Sequence, residues 1–221
     1  MDKVVLFFEL GYIFNIIGII ILIRNIRLKK HIEGISYYTQ LLFCISNFAK
    51  MFYFPHTILY EYTFCWVEFI ASLICSVWLI KCMLRYKPIS LSQEKNTYDY
   101  RILIVLSIIL AVVSNYEKEM DFEYSQFAIR FSIILEAIGL LPQIKMMRNE
   151  RFVQRFMGVY LVFICLSRVS RVFFWAFQIW ENSSGDTYYT LLFADLFYIV
   201  LTGDFMYNFL KHRNTNVIPY N

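Results

Sequence analysis

The sequence has few of the residues on which most catalytic sites depend. It contains only three histidines, and all fall in predicted loops or at membrane ends: His31, His56 and His212. It has no metal-ligand spacing, no Gly-x-Ser-x-Gly element and no phosphate-binding glycine loop. The five cysteines lack Cys-x-x-Cys spacing and are predicted to be small buried hydrophobic residues: Cys44, Cys65, Cys75, Cys82 and Cys165. We therefore predict no enzyme activity, no metal and no cofactor.

Charged residues are also scarce, at 17% of the chain, whereas 59% of residues are hydrophobic and 19% are aromatic. The mean hydropathy of +0.51 is too high for an ordinary soluble domain. The net charge of +4 is concentrated in short loops beside apolar segments, so it does not indicate a nucleic-acid partner. This composition predicts a protein surrounded by membrane lipid.

The apolar residues form seven segments, each close to the roughly 20 residues that a helix needs to cross a bilayer. Continuous apolar runs favour helices over the alternating strands of a barrel. We predict an all-α membrane protein in which residues 1–221 form one domain. The predicted spans are 4–23, 38–55, 61–83, 101–116, 125–143, 157–180 and 187–210.

The intervals between these segments alternate in charge, and this alternation predicts the orientation of the chain. Basic intervals follow the first, third and fifth spans, and cytoplasmic loops collect Lys and Arg. We therefore expect a luminal N-terminus and a cytosolic tail at residues 211–221. Lys211 and Arg213 in this tail fit either a sorting signal or a basic stop after the last span.

A weak internal repeat relates the two ends of the chain. Residues 23–43 and 140–163 each contain a helix end, a basic loop, a glycine and a new aromatic-bearing helix. The repeat predicts two parallel three-helix units, spans 1–3 and 5–7, joined by span 4. Transporters of this architecture place their ligands between the two halves.

Several ionisable residues fall inside the predicted spans, where each needs a partner or a wet cavity. Arg168, Arg171 and Trp175 are spaced i, i+3, i+7 and share one helix face. Two guanidinium groups beside an indole suit a carboxylate. The other such residues are Lys50, Glu68, Arg130, Glu136, Asp195 and Asp204.

A structural role is the alternative for these charges. Glu136 and Asp204 could neutralise the arginines and fix helix packing. Lys50 and Arg130 lie nearer the luminal ends, where long basic side chains can reach the interface. Glu68 and Asp195 could pair with either basic helix.

Two stretches resemble the KDEL receptor family, seven-helix proteins that return escaped luminal proteins to the endoplasmic reticulum. The first is Gly34-Ile35-Ser36 followed by Gln40-Leu41-Leu42-Phe43, and the second runs from Ser132 to Leu140-Leu141-Pro142-Gln143. Arg168, Trp175 and Asp204-Phe205 with Tyr207 follow at the expected spacing. The Pro-Gln element is shared with carriers of the PQ-loop type, which include the SWEET proteins.

The resemblance implies a luminal cavity that binds a C-terminal tetrapeptide such as Lys-Asp-Glu-Leu or His-Asp-Glu-Leu in the Golgi, and a basic tail read by coat proteins. By position, Lys50 and Arg168 would bind the peptide, with Trp175 as an aromatic wall. Glu136 would belong to a proton-linked network together with Asp204 and the position of Asn15. Tyr53 and Tyr207 would add aromatic packing.

The chain departs from the family pattern at six ligand-shell positions, where it has uncharged residues: Phe8, Asn15, Tyr53, Gln126, Ser167 and Gln178. Arg171 has no basic counterpart in the family and is predicted to be a replacement anchor. Lys50 keeps the charge of a family arginine without its fork geometry.

The leading hypothesis is therefore a divergent retrieval receptor of the endoplasmic reticulum and Golgi membranes that binds C-terminal signals of luminal proteins. A small-solute carrier of the PQ-loop type and a scaffold that binds no peptide are the alternatives.

Overall fold

The computed structural model describes residues 3–30, 35–53, 63–86, 99–115, 124–149, 155–181 and 186–215. Within these ranges all regular secondary structure is helical, which confirms the predicted all-α class. The helices are α1 (Lys3–Lys29), α2 (Tyr37–Tyr53), α3 (Thr63–Arg85), α4 (Tyr100–Asn115), α5 (Tyr124–Gly139), α6 (Leu141–Asn149), α7 (Arg155–Glu181) and α8 (Asp186–Thr215).

Each of the seven apolar segments contains a helix. Within the described residues, four helical stretches are long and apolar enough to cross a membrane: Leu6–Lys29, Cys65–Arg85, Tyr124–Met146 and Gly158–Glu181. Helices α4 and α8 contain shorter apolar stretches, Tyr100–Ser114 and Tyr189–Gly203. The structure thus supports a helical membrane protein, and the count of seven crossings stays a prediction.

The fifth apolar segment is interrupted between α5 and α6. Leu140 forms a turn, and Pro142 occupies the first turn of α6, where its missing N–H group leaves no intrahelical bond unmade. The helical bonding resumes at once, because the Ile144 amide donates to the Leu140 carbonyl at 3.1 Å. The fifth apolar segment is therefore helical on both sides of Leu140.

Six of the helices form a closed ring. Helix α1 packs against α3, α3 against α2, α2 against α5, α5 against α8, α8 against α7, and α7 against α1. Helix α4 lies mainly against α5, and its other faces expose many large apolar side chains. The interior of the ring is consequently lined by all the helices except α4 and the short α6.

Two buried apolar clusters occupy different levels of this ring. The first, the Trp175 layer, includes Phe8, Tyr12, Phe69, Ile133, Phe174, Trp175 and Leu191. The second, the Tyr198 layer, includes Ile19, Leu79, Leu140, Tyr160, Ile164 and Tyr198. Between the two layers, the helices that contribute to both carry polar side chains. These are the half-buried Asn15 and the buried Ser72, Ser76, Glu136, Arg168, Arg171 and Asp195. The polar level is thus enclosed from both sides.

The two stretches that carry the family resemblance contact each other at the start of α2. Ser36 caps this helix, since its hydroxyl accepts a bond from the Thr39 amide at 3.2 Å. The Ser36 amide in turn donates to Oε1 of Gln143 at 2.7 Å. The glutamine after Pro142 therefore satisfies a donor that the first turn of a helix leaves unpaired.

Helices α1 and α7 approach closely at two glycines of α1 that are seven residues apart and share a face. A β-carbon placed on Gly11 would lie 3.1 Å from Cγ of Arg171 and 3.2 Å from the Ser167 carbonyl oxygen. One placed on Gly18 would lie 3.3 Å from Cβ of Phe163. Small residues let helix backbones pack at short range inside a membrane, so these glycines bring Arg171 against α1.

We expect Gly11→Ala to destabilise the protein by about 1–3 kcal/mol, because the added methyl group meets a backbone carbonyl that cannot move alone. Gly203→Ala is the matched control, since a β-carbon there meets no atom within 4 Å. The control should be neutral or stabilising by up to about 1 kcal/mol, the gain in helix propensity. Thermal unfolding of the purified variants in detergent measures both, and equal midpoints would contradict the close packing.

Candidate functional site

Five charged side chains meet between the two apolar layers and are termed the charged cluster. They are Lys50 on α2, Glu136 on α5, Arg168 and Arg171 on α7, and Asp195 on α8. Each is at most 7% exposed, and Asp195 is completely buried. Four helices thus place ionised groups at one point inside the ring.

Glu136 joins the lysine to the arginines. Its Oε1 accepts a bond from Nζ of Lys50 at 2.5 Å, and its Oε2 accepts one from Nη1 of Arg168 at 2.6 Å. Nη2 of Arg171 lies 3.3 Å from the same Oε2. The single carboxylate therefore contacts all three cations of the cluster.

Asp195 binds the face of α7 that was predicted from spacing. Its Oδ1 accepts bonds from Nη2 of Arg171 at 2.5 Å and from Nη1 of Arg168 at 3.1 Å. Its Oδ2 accepts a bond from the Trp175 indole at 2.9 Å. All three side chains of the i, i+3, i+7 set contact one carboxylate, as their shared face requires.

Arg168 is also held by an aromatic ring. Its guanidinium carbon lies 4.1 Å from the centre of the Tyr198 ring, one helical turn after Asp195 on α8. A cation over an aromatic face at this range is attracted by the ring quadrupole, most strongly where water is excluded. Tyr198 thereby connects the charged cluster to the second apolar layer.

The charges of the cluster do not balance. Among the described residues, three cations and two carboxylates leave one formal positive charge, with every member buried. A buried charge is costly unless an opposite charge and hydrogen bonds compensate it. The arrangement is therefore suited to take up one further anionic group.

A small cavity of about 30 Å³ adjoins the cluster, with Lys50, Glu136, Arg168 and Arg171 in its wall. It has room for about two water molecules. The rest of the wall includes polar side chains from α1, α2, α3 and α7: Asn15, Gln40, Asn47, Ser76 and Tyr160. The cavity extends the polar level toward the Tyr198 layer.

The polar residues of the cavity wall hold one another in place. The Asn15 amide donates to the Ser72 hydroxyl at 3.2 Å, so the side chain at this position links α1 to α3. Asn47 donates to Ser76 at 2.9 Å, and Gln40 donates to the Tyr160 hydroxyl at 3.0 Å. Hydrogen bonds between helices thus fix the side chains of the cavity wall.

The predicted aromatic residues have different positions. Trp175 is buried in its layer, and Tyr53 packs partly buried against the same layer. Tyr207 is 64% exposed and lies twelve residues after Asp195, about 18 Å along a helix axis. The structure therefore does not bring Tyr207 to the charged cluster.

Three other predicted residues belong to the last part of α8, which continues through 211 and 213 to Thr215. The side chains of Asp204, Lys211 and Arg213, like residues 216–221, lie outside the described part of the chain. Among the described residues, Asp195 is the carboxylate that binds the arginines together with Glu136, and the role of Asp204 stays a prediction. Spacing alone had left Asp195 unplaced, because it gives the face of a residue but not the helix across from it.

Two basic residues with a possible interfacial role have internal partners instead. Lys50 is buried and bound to Glu136, so it does not extend to a membrane surface. Nη1 of Arg130 contacts the carbonyl oxygen of Ser114, in the last turn of α4. A cation near the C-terminal end of a helix compensates its unpaired carbonyl groups, which gives Arg130 a packing role.

Two more carboxyl groups are buried outside the cluster. Glu9 on α1 and Glu68 on α3 are 4% and 5% exposed. Among the described residues, one oxygen of Glu9 and both oxygens of Glu68 have no hydrogen-bond partner. Within the described residues, no three His, Cys, Asp or Glu side chains are grouped to hold a metal ion.

Comparison with known proteins gives a consistent result. The family model described as ER lumen protein retaining receptor matches residues 31–178. A Caenorhabditis briggsae protein named ER lumen protein-retaining receptor is 28% identical over 84% of this chain and 88% of its own length. The Arabidopsis thaliana receptor A is 27% identical over 85% and 89%, and the Saccharomyces cerevisiae receptor is 27% identical over 87% and 92%.

We expect Glu136→Gln to destabilise the protein by about 3–5 kcal/mol, because it leaves three buried cations with one carboxylate. Glu68→Gln makes the same change at a buried carboxyl group without a partner, so it should be neutral or stabilising. Thermal unfolding in detergent compares the two variants. Similar losses for both would show that the contacts of Glu136 do not determine stability.

Proposed function

Because the chain belongs to the ER lumen protein retaining receptor family, we propose that it is a receptor that retrieves luminal proteins by binding a signal at their C-termini. The relatives carry this name across animals, plants and fungi, and they align over most of both chains. A retrieval receptor works without chemical conversion of its ligand. This agrees with a sequence that offers no catalytic constellation.

The observation that carries the site assignment is the uncompensated positive charge of the charged cluster. The C-terminus of a peptide is a carboxylate, and arginine binds carboxylates with two parallel N–H donors. Arg168 and Arg171 present two such forks on one face of α7, and Lys50 faces them from α2. We assign the peptide carboxylate to this group of three cations.

The aromatic side chains around the cluster would bind the apolar part of the signal. Trp175 lies at the level just beyond Arg171, in the Trp175 layer, and Tyr53 packs against that layer. A tryptophan or tyrosine offers a large apolar surface together with one polar atom. This arrangement suits a peptide whose last side chain is apolar and whose carboxylate reaches the arginines.

Peptide binding requires the ring to open. Ligand pockets usually measure about 300–1,000 Å³, whereas the cavity beside the cluster measures about 30 Å³. We therefore infer that the ring is wider when a peptide is bound. The peptide carboxylate would replace contacts that the arginines now make with Glu136.

The order of helices in the ring supports the two-unit architecture expected from the repeat. The first unit would be α1–α3–α2 and the second α5–α8–α7, so that the third member of each stands between the other two. The units meet where α1 packs on α7 and α2 packs on α5, which are equivalent contacts. Helix α4 would join the units, as in PQ-loop carriers.

The alternation of basic loops supports a luminal N-terminus and a cytosolic tail in membranes of the endoplasmic reticulum and Golgi. The peptide would then enter from the luminal side, past the Trp175 layer. Lys211 and Arg213, at the cytosolic end, would be available to coat proteins. Membrane lipid would surround the apolar outer faces of the bundle.

We expect the purified protein to bind peptides that end in a free carboxylate, and to lose this binding when the peptide is amidated. Arg168→Ala should weaken binding at least thirtyfold, because a buried charge pair loses about 2 kcal/mol or more when one partner is truncated. Arg101→Ala is the matched control, since Arg101 is exposed on α4. Calorimetry with a C-terminal tetrapeptide library, at acidic and neutral pH, measures these affinities.

Binding that persists after amidation would refute the assignment of the carboxylate to this cluster. Proton-coupled solute flux in vesicles, without preference for peptide termini, would indicate a carrier. Partners confined to the cytosolic loops, with neither flux nor peptide binding, would indicate a scaffold.

A further inference from the structure

Asp195 already accepts hydrogen bonds from the donor groups that a ligand would use. Its two oxygens accept bonds from Arg171 at 2.5 Å, from Arg168 at 3.1 Å and from the Trp175 indole at 2.9 Å. These are the donors of a complete carboxylate site: two guanidinium groups and one indole N–H, all buried. The protein therefore already holds one carboxylate of its own in the place suited to an acidic group.

We propose that Asp195 is a specificity-determining residue, which restricts the receptor to signals whose only buried negative charge is the terminal carboxylate. The proposal rests on the proposed function. It adds the chemical class of the signal, namely a C-terminal peptide without an acidic side chain at the charged cluster.

The argument follows from the charges of the cluster. With Asp195 ionised, the three cations face two carboxylates, and one ligand carboxylate brings the total to neutrality. An additional acidic side chain would bring an uncompensated negative charge into a buried site. It would also find both arginines already bound to Asp195, so it would have to displace a carboxylate that is 0% exposed.

Neutralising Asp195 should reverse this preference. The Asp195→Asn substitution removes one negative charge, so the net charge of the cluster rises by one. The amide oxygen of asparagine is uncharged and forms no ion pair with the arginines. A ligand could then place its terminal carboxylate and one acidic side chain among three cations that face only Glu136. The side-chain volume is nearly unchanged, so the layers on either side keep their packing.

The test uses tetrapeptides with a free C-terminal carboxylate, in which glutamine is replaced by glutamate at one position at a time before the last residue. We expect the wild-type protein to bind the glutamine peptide at least tenfold more tightly than the glutamate peptide at one or more positions. Asp195→Asn should shift this ratio at least tenfold toward glutamate. The ratio of the affinities for the glutamine and glutamate peptides is informative because a loss of folded protein lowers both apparent affinities equally.

Three further variants control the experiment. Asp195→Glu keeps the charge and should keep the sign of the wild-type preference. Glu68→Gln removes a buried negative charge outside the cluster and should leave the ratio unchanged. Trp175→Phe removes one donor to Asp195, so it should shift the ratio toward glutamate by a smaller factor, and it serves if Asp195→Asn does not fold.

The outcomes separate the two proposals. A wild-type protein that binds free-carboxylate peptides without a preference for glutamine, or a ratio that Asp195→Asn leaves unchanged, overturns the role of Asp195 and leaves the receptor function intact. Absence of binding by any free-carboxylate peptide, to wild type and variants alike, overturns the receptor function itself and the inference with it.

Discussion

The contact of two carboxylates with three cations is the interaction on which the interior of this protein depends. Glu136 and Asp195 connect side chains from four helices, and each of the five is at most 7% exposed. Removal of either carboxylate would leave buried charge that the remaining groups cannot neutralise. The apolar layers above and below separate the cluster from bulk solvent, and this separation strengthens each ion pair. Stability and ligand recognition thus use the same side chains.

The sequence was sufficient for the features that follow from one helix at a time. Apolar runs predicted where helices lie, and the spacing of Arg168, Arg171 and Trp175 predicted a shared face that the structure confirms. Pairings between helices were not accessible in this way. Asp195 and Lys50 each lie on a helix whose rotation and neighbours depend on packing of the whole ring, so spacing could not identify their partners.

The family resemblance is carried by two kinds of residue with different roles. Ser36 and Gln143 bond to each other and cap α2, so the Gly-Ile-Ser and Pro-Gln stretches maintain the scaffold. The charged cluster, in contrast, includes Arg171 and Asp195, an ion pair that the scaffold motifs do not specify. A chain can therefore retain the fold of the family while its recognition chemistry changes.

The glycine contacts between α1 and α7 have a mechanical consequence. Gly11 and Gly18 bring the two backbones so close that a β-carbon at either position would press against Ser167 or Phe163. Helices α1 and α7 are expected to move together as one rigid body during a binding cycle. Strain caused by an entering ligand would then be relieved on the opposite side of the ring. There α2 packs against α5, and the ion pair between Lys50 and Glu136 joins the two helices.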